Sequence, residues 1–248
     1  FNVAIRTIQL YKGQAIYGVG GGVTWDSTWE SEYREVHQKA AVLYRKQARF
    51  QLITTGKINQ KNLLFEEQHL ERLRTASRYF AFPFDAEDLR HKIEEECQAC
   101  DANQDYRLRI SLSKSGEIEL SRQILTPLSL HFCQAKLCLQ EADLQKAFTY
   151  FKTSYRPHLN LGEQEIIYHN KSGELLETSI GNLVLKIAEK LYTPPIRLGI
   201  LPGIYRQHLL ETGQIEEKVL TLADLAQAEA IYGCNAVRGL YELSLEEN

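Results

Sequence analysis

The spacing of hydrophobic and polar positions divides the chain into predicted strands and helices. Val3–Leu10 reads as a strand, and a turn then leads to a hairpin partner from Gln14 to Gly18. The glycine-rich stretch 19–27 predicts a loop, and the spacing after it predicts a helix over Glu30–Arg45. The beginning of the chain is therefore expected to form a small hairpin-and-helix unit.

Short strands and two amphipathic helices follow. Strands are predicted at Phe50–Thr55 and Asn62–Phe65, and apolar positions three or four apart predict helices over Glu66–Phe80 and Ala86–Ala99. Strict alternation over Tyr106–Ser113 predicts a strand with one exposed face, and its basic residues are expected to serve solubility rather than ligand binding. These elements predict a small α/β unit.

The rest of the pattern is shorter and richer in strands. We predict strands over 117–121, 128–132, 135–139 and 165–170, another strand from Leu175, and helices over 204–212 and 221–229. The whole pattern predicts a mixed α/β (α+β) fold in three parts, residues 1–45, 46–150 and 151–248. The last part is expected to be the more β-rich of the two larger ones.

The composition of the chain mainly excludes certain classes of function. With 248 residues, 44% of them hydrophobic, and a net charge of −3, the chain can bury a core and has no global attraction to nucleic acid or membrane. It has no apolar run long enough for a transmembrane helix and no signal-peptide pattern at its start, so we expect a soluble cytoplasmic protein. Cys97 and Cys100 lack the second pair that a zinc site needs, and an odd total of five cysteines favours a reducing compartment.

Candidate chemistry concentrates between Lys152 and Arg206. Lys152 follows the apolar stretch Phe-Thr-Tyr-Phe, which favours a lowered lysine pKa and the free amine that Schiff-base formation needs. Glu177 could pair with a protonated ring nitrogen, and Pro202 and Gly203 open a helix whose N–H groups could bind phosphate. Together these groups could hold pyridoxal phosphate, although each alone also fits an ordinary structural role.

Separated segments of residues 46–248 resemble the class IV aminotransferase family, the fold type IV pyridoxal phosphate enzymes. The segments are LLFEEQHLERLRTASRYFAFPF, KTSYR, GELLETSIGN, LGILPGIYR and CNAVRG. The resemblance implies the fold of D-amino acid aminotransferase, with a small α/β subdomain and a larger cofactor-binding subdomain.

The same resemblance implies a role for each matching residue. Arg72 would contact the cofactor phosphate, Lys152 would carry the cofactor and act as the catalytic base, and Glu177 would pair with the ring nitrogen. Arg156 and Arg238 are candidates for the substrate carboxylates. The implied cofactor-binding set comprises Arg72, Lys152, Glu177, Leu201, Gly203, Ile204, Tyr205, Asn235 and Ala236.

The first 45 residues contain AIRT and GVGGGVTWDSTWESEYREVHQKA and resemble the C-terminal end of chorismate-binding enzymes. By that resemblance Arg6, Gly20 and Gly22 would hold chorismate carboxylates, and Glu35 would bind magnesium with help from Lys39. Without any resemblance, Glu35 and Lys39 would simply be an i,i+4 ion pair on a helix. No complete metal site is expected, because magnesium would belong to a synthase of which only this tail matches.

Two features favour an aminodeoxychorismate lyase: the Asn235–Ala236 pair and the adjoining synthase-like tail. Such a carbon–oxygen lyase would release 4-aminobenzoate and pyruvate for folate biosynthesis, as part of a bifunctional synthase–lyase. The alternatives are a branched-chain or D-amino acid aminotransferase and a non-catalytic partner domain of the synthase. The expected partners are the remaining synthase chain, a glutamine amidotransferase subunit and a second copy in a homodimer, with no nucleic acid or membrane.

Overall fold

The computed structural model describes residues 7–44, 48–140, 147–160 and 162–246. These form two compact units, residues 1–49 and residues 50–248. None of the helices in the described ranges is long and apolar enough to cross a membrane.

The first unit is a hairpin and one helix. Strands β1 (Ile8–Tyr11) and β2 (Gln14–Tyr17) pair antiparallel, and helix α1 spans Trp29–Tyr44. Lys12 and Gly13 both have positive φ, at 47° and 79°, as a tight two-residue hairpin turn requires. The hairpin and the helix were predicted, but residues 3–6 of the first predicted strand and Arg45 of the predicted helix lie outside the described residues.

The second unit begins with an antiparallel sheet of four strands in the order β4-β3-β5-β6. Two helices follow β4 and cover one face of the sheet. The elements are β3 (Leu52–Asn59), β4 (Asn62–Leu63), α2 (Glu66–Phe80), α3 (Ala86–Gln98), β5 (Tyr106–Leu112) and β6 (Ile118–Ile124). The N-cap Asp85 accepts hydrogen bonds from the first-turn N–H groups of α3, which is why that helix begins at Ala86.

The core of this sheet corrects the prediction for β5. Leu108, Ile110 and Leu112 are buried against the helices, as their alternation predicts. Ser111, on the opposite face, is buried as well, and Arg109 is half-buried. The expectation of a half-exposed strand therefore holds at Arg107, which is exposed, and fails at Ser111, where protein also covers the second face of β5.

The larger part of the unit is an eight-stranded sheet in the order β12-β11-β10-β13-β14-β7-β8-β9. Because β9 also pairs with β10, through Glu177 and Asn182, six of these strands close into a ring. The strands are β7 (Gln134–Leu139), β8 (Ile166–His169), β9 (Leu175–Thr178), β10 (Asn182–Ile187), β11 (Lys190–Thr193), β12 (Glu216–Glu217), β13 (Ala230–Asn235) and β14 (Gly239–Leu245).

Short helices connect these strands. They are α4 (Leu130–Cys133), α5 (Ala147–Tyr150), α6 (Ile204–Glu211) and α7 (Leu222–Gln227), with a 3₁₀ turn at Ile196–Leu198. The predicted strand over 128–132 is wrong, since Ser129 Oγ accepts a hydrogen bond from Phe132 N at 3.1 Å and caps a helical turn instead. The mixed α/β fold predicted from the pattern is confirmed.

Candidate active site

A cavity of about 380 Å³ lies between the four-stranded sheet and the ring of the second sheet. Its lining comes from β3, β5 and α2 on one side and from loops at the strand ends of the ring on the other. Among the residues predicted for cofactor and substrate, those that line it are Arg72, Lys152, Arg156, Glu177, Leu201, Gly203, Ile204, Asn235, Ala236 and Arg238. Segments far apart in the chain therefore meet at one site.

Lys152 is held in place by its own backbone. Its carbonyl accepts a hydrogen bond from Ile53 N at 2.9 Å, and Thr153 forms a bridge with Leu52 at the beginning of β3. Burial lowers the pKa of the Lys152 amine well below its ordinary value, and the nearby arginines, Arg72 first, lower it further. The amine is thus favoured in the neutral, nucleophilic form.

Glu177 is a buried carboxylate at the floor of the cavity, only 2% exposed. Its Oε2 accepts a hydrogen bond from Leu201 N at 3.3 Å and lies 3.8 Å from Arg156 Nη2. Its Oε1 has no hydrogen-bond partner among the described residues and lies 4.0 Å from His158 Nε2. Burial raises the pKa of Glu177 to about 7, although Arg156 opposes the shift. Glu177 Oε1 is therefore available to accept a hydrogen bond from the N–H group of a molecule bound in the cavity.

The pKa of Glu177 gives a test on cofactor-free protein. Because the folded-state pKa of about 7 lies above the ordinary 4.5, the folded state keeps a proton that the unfolded state loses, so stability from this group falls as pH rises between those values. Glu177→Gln cannot lose that proton. Between pH 4 and pH 8 the variant is expected to gain about 3 kcal/mol of unfolding free energy relative to the unsubstituted protein. Urea unfolding at both pH values measures this, and a pH-independent difference would contradict it.

Arg72 lies beside the turn that begins helix α6. Its Nη2 donates to Pro202 O at 2.6 Å, and burial lowers the pKa of its guanidinium to about 10, which leaves it charged at neutral pH. Gly203, the N-cap of α6, offers no side-chain cap, so the first N–H groups of the helix remain available for an anion. Asn182 Nδ2 fixes this turn through a 2.8 Å hydrogen bond to Leu201 O.

A second turn, between β13 and β14, faces the same region. Asn235 Oδ1 accepts hydrogen bonds from Val237 N and Arg238 N, both at 2.9 Å, and Asn235 Nδ2 donates to Ile180 O at 3.3 Å. The Arg238 guanidinium donates to Thr126 O. The turn is therefore ordered by its own asparagine, with Ala236 at its tip lining the cavity.

These groups fit pyridoxal phosphate. A guanidinium and an uncapped helix N-terminus suit the phosphate, the unpaired Glu177 Oε1 suits a protonated ring nitrogen, and a neutral lysine suits the aldehyde. Leu201 and Ile204 supply apolar surface beside them.

Tyr205 is placed differently from the other predicted residues. Its ring lies 6.0 Å from that of Phe65 and 5.9 Å from that of His208, and it is absent from the cavity lining. Only its backbone N–H, in the first turn of α6, is in a position to serve an anion.

The sequence did not point to two arginines that line the cavity, Arg107 and Arg109 on β5. They were expected to serve solubility. Alternation alone shows that the two arginines lie on the same face of β5. Ile53 and Thr55 of the neighbouring strand β3 lie on that face of the sheet as well, and they also line the cavity. The position of this face, opposite the one that α2 covers, is the signal that could have identified them.

His158, a third residue missed, is 5% exposed, and neither of its ring nitrogens has a hydrogen-bond partner among the described residues. Burial and then Arg156 lower its pKa to about 4, so it stays neutral beside Glu177. His69 is fully buried and its Nδ1 lies 2.6 Å from Thr54 Oγ1.

The residues predicted for chorismate lie in the first unit. Lys39 Nζ is 2.5 Å from Glu35 Oε1 and donates to Gly20 O at 2.9 Å, while a side chain at Gly22 would meet open space. Arg6 lies outside the described residues. Within the described ranges, no group of three or more His, Cys, Asp or Glu could hold a metal ion. The chorismate and magnesium roles stay predictions.

A two-part fold with a lysine, a buried carboxylate and an uncapped helix N-terminus around one cavity defines an aminotransferase-like enzyme. Residues 51–139 and 151–244 match the model of the family described as amino-transferase class IV, and the chain belongs to that family. Residues 1–45 match the model described as chorismate binding enzyme.

Individual relatives agree with this. The chain is 25% identical over 251 residues to an aminodeoxychorismate lyase of Saccharomyces cerevisiae, a match that covers 73% of this chain and 67% of that protein. It is similar to the structure of a putative amino-acid aminotransferase from Mesorhizobium loti, with 26% identity, a TM-score of 0.68, and coverage of 79% of this chain and 100% of that one. A putative 4-amino-4-deoxychorismate lyase from Legionella pneumophila shares the fold, with 22% identity, a TM-score of 0.62, and coverage of 79% and 83%.

Proposed function

We propose that the chain is a pyridoxal phosphate-dependent 4-amino-4-deoxychorismate lyase, which releases 4-aminobenzoate and pyruvate. The observation that carries the proposal is the meeting of Lys152, Glu177 and Arg72 at one cavity, in a chain that also carries a chorismate-binding segment. A synthase that makes aminodeoxychorismate and a lyase that consumes it form consecutive steps. The similarity to the yeast lyase supports the same choice.

Each residue then has a definite task. Pyridoxal phosphate, when bound, supplies an electron sink for negative charge at the carbon that bears the substrate amine. Arg72, the first N–H groups of α6 and the Asn235–Ala236 turn would bind its phosphate, and Glu177 would accept a hydrogen bond from the ring N–H.

Lys152 would hold the cofactor, and its amine would be the base that removes the proton from the amine-bearing carbon of the substrate. The bond between the ring carbon and the enolpyruvyl oxygen would break as the substrate ring becomes aromatic, which makes the elimination strongly favourable, and the released enolpyruvate would take up a proton on carbon to become pyruvate. Arg156 and Arg238 stay candidates for the substrate carboxylates. Of the two, Arg156 also faces Glu177, at 3.8 Å.

The proposal extends to the rest of the protein. Residues 1–45 belong to the synthase part, 46–150 to the small subdomain of the lyase and 151–248 to its cofactor subdomain. Magnesium serves only the synthase. The partners are the remaining synthase chain, a glutamine amidotransferase subunit and a second copy of the chain in a homodimer.

Absorbance and product release test the lyase together. Purified protein incubated with pyridoxal phosphate is expected to show a visible band that borohydride removes. Addition of aminodeoxychorismate is expected to release pyruvate without any keto acid acceptor. A band without pyruvate would reject the lyase.

The second candidate function is an aminotransferase of branched-chain or D-amino acids. The similarity to the putative amino-acid aminotransferase from Mesorhizobium loti, at 26% identity, supports this candidate. The cofactor-binding residues are compatible with it, because the same residues would serve both reactions. In that case turnover needs an amino acid and a keto acid, and no pyruvate comes from aminodeoxychorismate. Absence of both the band and turnover would leave only the non-catalytic partner domain, against which the joint presence of Lys152, Arg72 and Glu177 argues.

A further inference from the structure

His158 is buried beside Glu177 and has no task in the proposed reaction. Its side chain has no exposed surface, and neither ring nitrogen has a hydrogen-bond partner among the described residues. Its Nε2 lies 4.0 Å from Glu177 Oε1, an atom that also lacks a hydrogen-bond partner there. Unpaired buried polar atoms destabilise a fold. A nitrogen and an oxygen left unpaired at this distance therefore point to a contact that forms when the site is occupied.

The backbone around His158 fixes the position of its ring. Leu159 N donates to Arg156 O at 3.1 Å, which closes a turn around His158. Asn160 N donates to Tyr168 Oη at 2.6 Å, and Leu159 lies in the same buried apolar cluster as Tyr168. The segment is therefore attached to β8, and the imidazole faces Glu177 because of the fold.

The charges around this pair determine what His158 can contribute. Burial raises the pKa of Glu177 to about 7, while Arg156, at 3.8 Å, and a protonated Lys152 oppose the shift. Burial and then Arg156 lower the pKa of His158 to about 4, and burial raises the pKa of Tyr168 on β8, so both are neutral at pH 7. His158 can thus donate a hydrogen bond to the carboxylate without adding a positive charge that would repel a protonated ring nitrogen.

Glu177 Oε1 has room for two donors. A carboxylate oxygen has two lone pairs, so Oε1 can accept from the cofactor ring N–H and from His158 Nε2–H together. The present 4.0 Å is too long for a hydrogen bond, but such contacts often tighten once a ligand is bound. A hydrogen bond from a neutral donor favours the ionised carboxyl group over the protonated one. A proton shared by Glu177 and the ring nitrogen is then favoured on the nitrogen.

We propose that His158 is a positioning residue whose Nε2–H donates to Glu177 Oε1, keeps that side chain ionised, and so places the shared proton on the cofactor ring nitrogen. The protonated ring is the electron sink that the chemistry needs. This role rests on the cofactor-binding part of the proposed function and is the same in a lyase and in an aminotransferase.

Two substitutions matched in chemistry test the role. The side-chain N–H of glutamine reaches about as far as His Nε2, whereas that of asparagine reaches only about as far as Nδ1. Holoenzyme is prepared with pyridoxal phosphate labelled with ¹⁵N in the ring, and the ¹⁵N chemical shift reports whether the ring nitrogen is protonated. His158→Gln is expected to keep the protonated signal of the unsubstituted protein. In His158→Asn the ratio of protonated to unprotonated nitrogen is expected to fall roughly tenfold or more.

Cofactor-free protein gives a second measurement of the same contact. In each His158 variant, the unfolding free energy is compared with that of the same protein carrying Glu177→Gln, from pH 5 to pH 9. The pH at which this difference changes reports the proton affinity of Glu177. A loss of packing lowers stability equally at every pH and so cancels. The proton affinity of Glu177 is expected to be roughly tenfold higher in His158→Asn than in His158→Gln.

The two measurements separate this role from the proposed function. Equal ring-nitrogen signals and equal proton affinities of Glu177 in the asparagine and glutamine variants would overturn the role of His158, whatever reaction the protein catalyses. If the unsubstituted protein binds no pyridoxal phosphate, the proposed function and the placing of the ring proton both fail. A shifted ring-nitrogen signal in His158→Asn alone, without pyruvate release by the unsubstituted protein, would retain His158 and reject the lyase.

Discussion

Lys152→Ala is expected to abolish turnover, with a loss of roughly 10⁴-fold or more, and to remove covalent attachment of pyridoxal phosphate completely. Within the cavity lining Lys152 is the one lysine among the described residues, so no neighbouring amine replaces it. The reaction loses its base together with the group that holds the cofactor.

The substitution is not expected to unfold the protein. The segment stays attached to β3 through Lys152 O, which accepts from Ile53 N at 2.9 Å, and through Ser154 N, which donates to Gln51 O at 2.9 Å. Because the pKa of the Lys152 amine is lower in the folded state, its protonation favours the unfolded state, and stability from this group is lost as pH falls below the ordinary 10.5. At pH 7 the cofactor-free alanine variant is therefore expected to melt at or above the temperature of the unsubstituted protein.

Three measurements check this prediction: the borohydride-sensitive visible band, the mass of the protein after borohydride treatment, and the rate of pyruvate release. Lys136→Ala is the control, since Lys136 is a surface residue of β7 that lies 3.5 Å from Glu246 and outside the cavity lining. Unchanged turnover in Lys152→Ala would reject the lyase and the aminotransferase alike.

The sequence predicted which residues come together at the cavity better than it predicted the contacts that surround them. Arg72, Lys152 and Glu177 belong to short motifs. The fold brings them together because the Lys152 segment is attached to the beginning of β3, while Glu177 lies in β9 where that strand pairs with β10. Contacts such as that between His158 and Glu177 depend on how two segments pack, and neither segment alone reveals them.

The misses have physical reasons too. Alternation on β5 shows that Arg107 and Arg109 share a face, but it does not show whether that face meets solvent or a second sheet. Strand β10 begins with a continuous buried run, Asn182 to Leu185, and such a run carries no period that separates strand from helix. The role of Tyr205 in the phosphate loop stays a prediction, and its ring lies 6.0 Å from that of Phe65.

Gly203→Ala is expected to have the second-largest effect. Glycine is required at this position because a neighbouring side chain leaves no room for a Cβ, and not because of the backbone conformation. Gly203 has φ −67° and ψ 138°, which any residue can adopt. A Cβ at this position would overlap Asn182 Oδ1, and Asn182 is only 2% exposed. To make room, Asn182 must give up its 2.8 Å hydrogen bond to Leu201 O, and the turn before α6 shifts with it.

The expected cost is about 2–4 kcal/mol of unfolding free energy, from overpacking and one lost buried hydrogen bond, and roughly a 5–10 °C fall in Tm. Affinity for pyridoxal phosphate should fall as well, since the moved turn carries the N–H groups that face its phosphate. Thermal melts and cofactor titration measure the two effects.

Gly162→Ala is the matched control, because a Cβ there meets nothing within 4 Å, and it is expected to leave Tm and cofactor affinity unchanged. Asn182→Ala in the Gly203→Ala background removes the atom that the new Cβ would strike. If the overlap is the cause, the two substitutions together cost less than the sum of their separate effects. Additive losses, or equal behaviour of Gly203→Ala and Gly162→Ala, would show that the turn before α6 is not held by this close approach.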